Sequence, residues 1–468
     1  MIRFSLIYLS VFFYLISLFS FFNIIYSYYF NLYLNVDSYI YTLILSLIFG
    51  SLFIFNKKIE NKVNIYKKII TVIIGYISLP IIISLPYYFG INNITFLNCY
   101  FEAISGFTST GFTVFNNIKH LDQSLILWRS SSQWIGGVYF LFSIILLMDI
   151  FDNNLKKSLT NFISFNTSEI LKQSFKILIF YSILTLFIFI VLNIIGIRVF
   201  DSFNLSFTII SSGGFIPTNN IESIINSDFK KIVFSLLMLS SFFSLFLSYN
   251  LLFFKKKNLS FFVEDFYLFF YLVFLLIIFF VFFNFDYNFS SILFSIISSI
   301  SNIGLSTTDV SPNLYFIFLI LVIIGGSFFS TSSGIRFLKI FSLIKFSFNE
   351  LLSHSKPKHI YINKFIFSES NIVHTDIYKY FLSVLIFIIS LFILTSFLTI
   401  SNISIDDAFK LGILTLMNTV NSSMYSLSDL NFLSMNYFSK VSLIVFMIIG
   451  RVELLTILII SKKFLFKN

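Results

Sequence analysis

Four stretches of this chain combine hydroxyl, amide and glycine residues in a pattern suited to holding a dehydrated cation. They read FEAISGFTSTGFTVF from Phe101 to Phe115, FDSFNLSFTIISSGGF from Phe200 to Phe215, FSSILFSIISSISNIGL from Phe289 to Leu305 and DDAFKLGILTLMNTVNSS from Asp406 to Ser423. Three of them close a polar run with glycine and a bulky apolar residue: Gly111-Phe112, Gly214-Phe215 and Gly304-Leu305. A cation leaving water must have its hydration shell replaced, and a ring of backbone carbonyls does this without fixed negative charge. Glycine reaches backbone conformations that other residues avoid and lets the chain approach the ion closely. Hydroxyls add oxygens, and a short helix before each run aims the negative end of its dipole at the ion. One such run alone is an ordinary Ser/Gly helix break. Related runs about a hundred residues apart are an internal repeat, and it is the repeat that gives them meaning.

The elements around these runs are membrane helices. The 468 residues are 57% hydrophobic and 11% charged, too apolar to cover a soluble surface. Apolar spans recur at 4–34, 39–56, 69–90, 125–149, 174–197, 232–254, 266–284, 314–329, 377–400 and 441–461, near the roughly 20 residues that cross a bilayer. Ten helices place both termini on the cytoplasmic side. The polar runs follow the third, fifth, seventh and ninth helices and are too short to span. Irregular backbone at membrane depth is tolerated only where protein buries it or water wets it. Four such runs therefore predict a shared aqueous axis. The expected fold is an all-α membrane protein, with a two-helix N-terminal extension (1–68) and four helix–pore-loop–helix repeats (69–155, 156–260, 261–350 and 351–468) around a central ion pore.

The net charge of +10 does not point to nucleic acid. Lysines cluster at 57–68, 255–257, 345–358 and 462–467, in loops that fall on one side of the predicted topology, as the positive-inside rule requires. The first apolar stretch is too long for a signal-peptide core and reads as a retained helix. The single cysteine, Cys99, excludes an internal disulfide and reads as a small apolar filler. No Gly-x-x-x-x-Gly-Lys loop for nucleotide hydrolysis is present. His120, His354, His359 and His374 have no ligand spacing, and the acidic residues are scattered, which argues against a membrane-embedded enzyme. No cofactor is expected.

The motifs in order resemble the Trk/Ktr/HKT superfamily of potassium transporters, most closely its TrkH-type subunits. Phe101 to Val114 is similar to the first filter loop, WRSSSQWIGG at Trp128 to Gly137 to the start of the next helix, and Ser206 to Phe215 to the second filter. GGSFFSTSSGIRFLK at Gly325 to Lys339 resembles the kinked third-repeat helix, and GRVELLTILII at Gly450 to Ile460 the closing signature. The resemblance implies a homodimer, a cytoplasmic nucleotide-binding regulatory subunit of the TrkA kind, and a place in the bacterial inner membrane. It also implies ion-coordinating carbonyls at Ser109, Thr110 and Gly111; Ser212, Gly213 and Gly214; Asn302, Ile303 and Gly304; and Asn418, Thr419 and Val420. The implied gate is the Gly325 to Ser333 loop, with Gly325, Gly326, Ser330 and Thr331, together with Arg451.

Two departures from the family pattern stand out. Asn302-Ile303 replace hydroxyl residues in the third loop, which main-chain oxygens survive. The fourth loop has no glycine after Asn418 where the family has a glycine-rich run. Valine is disfavoured wherever φ must be positive. Either this loop takes another conformation or the alignment is shifted by one or two residues. A sodium or sodium-coupled transporter and a poorly selective remnant follow as alternatives; Gly111 favours potassium, because sodium-selective relatives tend to carry serine there.

Charges inside apolar segments face a cavity or a partner. Arg451 reads as a cation barrier below the filter, the alternative being a packing pair with Glu453. Arg336 and Lys339 read as cytoplasmic anchors, with Arg336 also placed to seat the gate loop. Glu102 and Asp309 either attract cations at the outer mouth or cap loop amides. Gln133 and Trp134 read as a brace behind the filter, Trp134 alternatively as an interfacial anchor.

Overall fold

The computed structural model describes residues 6–55, 65–147, 170–252, 262–283, 288–307, 314–353, 374–427 and 430–452. Helices α1 (Leu6–Tyr29) and α2 (Val36–Phe55) form an antiparallel hairpin, turned at Asn31 with φ +57°. Ser20 joins them by donating to the Tyr39 carbonyl at 2.6 Å, an internal partner for a hydroxyl that lipid would leave unmatched. Then come α3 (Ile65–Ile83), α4 (Leu85–Gly90), α5 (Phe96–Phe107) and α6 (Gln123–Leu146). Helices α7 (Ile170–Ile194), α8 (Val199–Ile210), α9 (Asp228–Phe242) and α10 (Leu245–Leu252) follow. Next are α11 (Val263–Phe283), α12 (Phe289–Ile300), α13 (Tyr315–Ile323) and α14 (Phe337–Ser353), and last α15 (His374–Ile400), α16 (Ile405–Leu416) and α17 (Tyr437–Arg451).

Four of these helices, α5, α8, α12 and α16, have 12 residues each. At 1.5 Å per residue each is about 18 Å long, short of the roughly 30 Å hydrocarbon core. Each therefore ends within the protein, and the polar run after it begins there. Their amphipathic order places one face against the long helix that precedes them: α3 packs on α5, α7 on α8, α11 on α12 and α15 on α16. The helix that follows each loop packs on the short helix of the next unit: α6 on α8, α9 on α12, α13 on α16, and α17 back on α5. The last contact closes a ring. A chain of four similar units thereby becomes a cyclic assembly, with the loops facing inward.

Six helices among the described residues are long and apolar enough to cross a membrane: those covering 8–29, 33–53, 65–90, 174–194, 263–282 and 377–400. Two of the spans predicted for the helices that follow polar runs need correction. The expected 232–254 helix is broken into α9 and α10, and the expected 314–329 helix stops at Ile323. Residues 324–336 instead form a short parallel pair, β1 (Ile324–Gly325) with β2 (Ile335–Arg336), around an internal loop. The two breaks share a cause. Backbone carbonyls freed at the end of α9 accept from this loop, Ser327 N–H to Phe242 O at 3.0 Å and Ser332 N–H to Ser241 O at 3.1 Å. Each break supplies the partners that the other lacks. Of the expected 441–461 span, the part up to 452 is described and helical to Arg451; Glu453 and most of the clustered lysines lie outside the described residues.

Candidate functional site

The four short helices end in the same way. In each, the backbone enters the left-handed region two residues past the last helical one: Ser109 (φ +56°), Ser212 (+50°), Asn302 (+58°) and Asn418 (+46°). The next amide reaches back to the helix, Thr110 N–H to Ser105 O, Gly213 to Thr208 O, Ile303 to Ser298 O and Thr419 to Leu414 O, at 2.9 to 3.1 Å. This is the Schellman arrangement, usually made with glycine at the left-handed place. Serine or asparagine there costs on the order of 1–3 kcal/mol, and the side chains make contacts that glycine could not. Ser212 Oγ donates to Thr331 O (2.9 Å), and Asn302 Nδ2 to Val322 O (2.9 Å). Asn418 Nδ2 donates to Met447 O (2.9 Å) and Thr110 Oγ1 (3.0 Å), and Arg451 reaches Ser109 Oγ at 3.4 Å. Each left-handed residue thus fastens its loop to an element beside it.

A second device holds three loops from the helix side. Ser105 Oγ donates to Phe112 O (2.6 Å), Thr208 Oγ1 to Phe215 O (2.7 Å) and Ser298 Oγ to Leu305 O (2.7 Å). The hydroxyl stands seven residues before the carbonyl it holds. In the fourth loop the equivalent residue is Leu414, which has no hydroxyl to offer Asn421 O.

The loops meet at their third residue. A Cβ placed on Gly111 would lie 2.8 Å from Gly214 Cα and 3.0 Å from Val420 Cβ; one on Gly304 would lie 2.8 Å from Val420 O. Gly111 and Gly304 have φ of +82° and +77°, whereas Gly214 and Val420 stay out of positive φ. Valine is therefore unstrained at 420. The four candidate triplets, Ser109–Gly111, Ser212–Gly214, Asn302–Gly304 and Asn418–Val420, come together from places as much as three hundred residues apart in sequence.

Buried charge sets the surroundings. Glu102 is fully buried and accepts from Arg129 Nε at 2.8 Å, Val114 N–H at 2.9 Å and Thr113 Oγ1 at 3.1 Å. Arg129 also lies over the Phe215 ring at 4.1 Å. Of the two roles expected for Glu102, it is amide capping that the geometry contains; Asp309 lies outside the described residues. With its amide turned so that both ends are satisfied, Gln133 accepts from Gly214 and Phe215 N–H at 3.1 Å and donates to Thr208 Oγ1 at 3.2 Å. Trp134 is buried and donates to Thr185 Oγ1 at 3.0 Å, so it is no interfacial anchor.

The 325–333 loop adjoins the second triplet, where Thr331 Oγ1 donates to Ile210 O at 2.7 Å. Of the two roles expected for Arg336, the surface anchor is corrected, since the side chain is buried; its guanidinium instead seats the loop, donating to Ser327 O and Ser332 O at 3.0 Å. Lys339 is buried too. Arg451 donates to Ser333 Oγ, and both arginines face the Phe140 ring, at 5.2 and 4.0 Å. Sequence reading missed the acids that hold this region. Glu264 accepts from Phe328 N–H at 3.0 Å, and Asp265 from Ser244 N–H at 2.9 Å and Ser244 Oγ at 2.6 Å. They open an apolar helix, where acids look like ordinary first-turn residues; only the facing chain break gives them work. No group of three or more His, Cys, Asp or Glu suited to a metal ion occurs among the described residues.

Residues 37–258 match the model of the TrkH family, described as cation transport proteins. The match covers a little under half of the chain, and over that segment the chain is similar to this family. It is 26% identical to an uncharacterized cation transporter of Methanocaldococcus jannaschii, over 94% of this chain and 91% of that one. It is 24% identical to the Trk system potassium uptake protein TrkH of Escherichia coli K12, over 86% and 87% of the two chains. Its fold matches the crystal structure of the potassium transporter TrkH from Vibrio parahaemolyticus with a TM-score of 0.80 and 22% identity, over 97% of this chain and 98% of that one. With its long apolar helices, the chain is thus a multi-pass membrane protein similar to cation transporters.

Proposed function

We propose that this chain carries potassium into the cell through the opening between its four loops, with 109–111, 212–214, 302–304 and 418–420 as the filter. The convergence of these triplets around Gly111, Gly214 and Gly304 carries the reading. Inward flow gains about 2.3 kcal/mol per charge for each 100 mV of membrane potential, so no nucleotide hydrolysis by this chain is needed. The 325–333 loop, with Gly325, Gly326, Ser330 and Thr331, and Arg451 form the gate. The Arg451 guanidinium reaches Ser109 and Ser333, and a buried positive charge there repels a dehydrated cation. The repeats run 69–155, 156–260, 261–350 and 351–468 after the 1–68 extension. Two copies pair in the inner membrane with both termini cytoplasmic, where a nucleotide-binding regulatory subunit reaches the gate. The test is growth rescue of a potassium-uptake-deficient bacterium at low potassium, with and without a regulatory partner, together with rubidium uptake into proteoliposomes. Rescue with saturable rubidium uptake is expected. A correctly inserted protein that moves neither ion overturns the proposal.

A further inference from the structure

Val420 occupies the place where the other three loops present glycine. A Cβ built on Gly214 would lie 2.3 Å from Val420 Cβ and 2.8 Å from its Cγ1. Since a Cα–Cβ bond adds about 1.5 Å, the Gly214 backbone is within about 3.8 Å of the valine side chain, which is carbon–carbon contact. The same side chain is met by a Cβ built on Gly111 (Val420 Cβ, 3.0 Å) and by one built on Gly304 (Val420 Cγ1, 3.0 Å). All three loops therefore face one isopropyl group, and the Gly214–Val420 contact leaves no room for an ion between that pair of loops.

We infer that Val420 is a valve: an apolar side chain that shuts the opening at the level of Gly111, Gly214 and Gly304 and leaves it when the fourth loop shifts. This rests on the conduction reading above and adds a residue that sets its rate. A second, independent observation sets the fourth loop apart as the one to shift. The hydroxyl struts at Ser105, Thr208 and Ser298 tie the residue after each glycine to its own short helix, and the fourth loop has Leu414 there. The last tie between the fourth loop and its helix in this series is Thr419 N–H to Leu414 O at 2.9 Å, one residue short of the valine. Beyond it, the Asn421 side chain holds only to Leu427 O at 3.3 Å, outward along the chain. The loop that carries the plug is the loop without the strut. The packing of Val420 against backbone that no side chain covers also explains why glycine is needed on the three facing loops: any Cβ there would meet the valine.

Rubidium uptake into proteoliposomes tests this with three proteins: wild type, Val420→Gly and Leu414→Ser. Val420→Gly is expected to raise initial uptake at least tenfold. A merely structural role for the valine would lower uptake through poorer folding, so the direction of change separates the two. Leu414→Ser, which supplies a hydroxyl for Asn421 O, is expected to lower uptake severalfold while the protein elutes as wild type from size exclusion. Unchanged or reduced uptake by well-folded Val420→Gly, alongside a conducting wild type, overturns the valve and leaves the conduction reading standing. Absence of uptake from wild type and Val420→Gly alike overturns both.

Discussion

Glu102→Gln probes the support of the first loop. Both members of the Glu102–Arg129 pair are out of solvent, with side chains 0% and 1% exposed, and the bond between them is 2.8 Å. The carboxylate also accepts from Val114 N–H, two residues past Phe112, and from Thr113. Glutamine keeps the shape and one acceptor oxygen but removes the negative charge. Arg129 is then a buried cation with no counter-charge, left with neutral partners such as the Phe215 ring at 4.1 Å, the Phe115 ring at 5.7 Å and the Thr113 hydroxyl at 3.1 Å. Breaking a buried pair on one side costs about 3–5 kcal/mol, and a desolvated cation–π contact returns about 2 kcal/mol, already present in the wild type. The full cost should therefore appear. Removing both charges, Glu102→Gln with Arg129→Met, leaves no uncompensated ion and should recover most of the loss. The assay is the temperature at which half of the detergent-solubilised protein survives size-exclusion chromatography, for the two single variants and the double, with rubidium uptake measured in parallel. The single variants should be clearly less stable than the double, and Glu102→Gln should lose uptake as Val114 loses its anchor. A Glu102→Gln protein as stable as wild type, or a double variant no better than its worse parent, would refute the assignment of the pair as the brace of this loop.

Three further outcomes are expected. Arg451→Ala should raise rubidium flux by removing the guanidinium beside Ser109 and Ser333; zero flux at normal expression would assign it to packing instead. Gly111→Ser, at φ +82° and with its Cβ 2.8 Å from Gly214 Cα, should lower the preference for potassium over sodium in competition uptake, and unchanged selectivity would remove Gly111 from the filter. Thr208→Val keeps the volume but strips Phe215 O of its 2.7 Å donor, leaving a buried carbonyl unmatched at about 1–3 kcal/mol; a lower melting temperature and a weaker potassium preference are expected, and a variant identical to wild type in both would show that the strut is idle.

Much of the architecture is legible in the residue order. A polar run too short to span and placed after every second apolar helix has few homes in a bilayer, so the four loops could be located from composition and spacing. Two of the helices that follow those loops were misread. Residues 232–254 and 314–329 look like uninterrupted spans because hydropathy counts side chains, whereas each breaks where backbone from the other arrives to take its freed hydrogen bonds. The same blindness hid Glu264 and Asp265, which hold the 325–333 loop and the chain break at Ser244, and it left Arg336 between a surface anchor and a seat for the loop until the carbonyls nine and four residues back decided for the seat. The struts did leave a signal, a hydroxyl four residues before each left-handed residue, missing only at Leu414.

By itself, the sequence determined what kind of solvent the chain lives in and how many times its motif recurs, because the bilayer penalises every unmatched backbone amide and so restricts each segment to a helix or a sheltered loop. Only the tertiary structure decided that the units close into a ring, that Val420 avoids positive φ, and that its side chain fills the space left by three glycines. Those facts depend on distances between residues far apart in the chain, and a linear pattern carries no information on which atoms will be within 4 Å once the ring has closed.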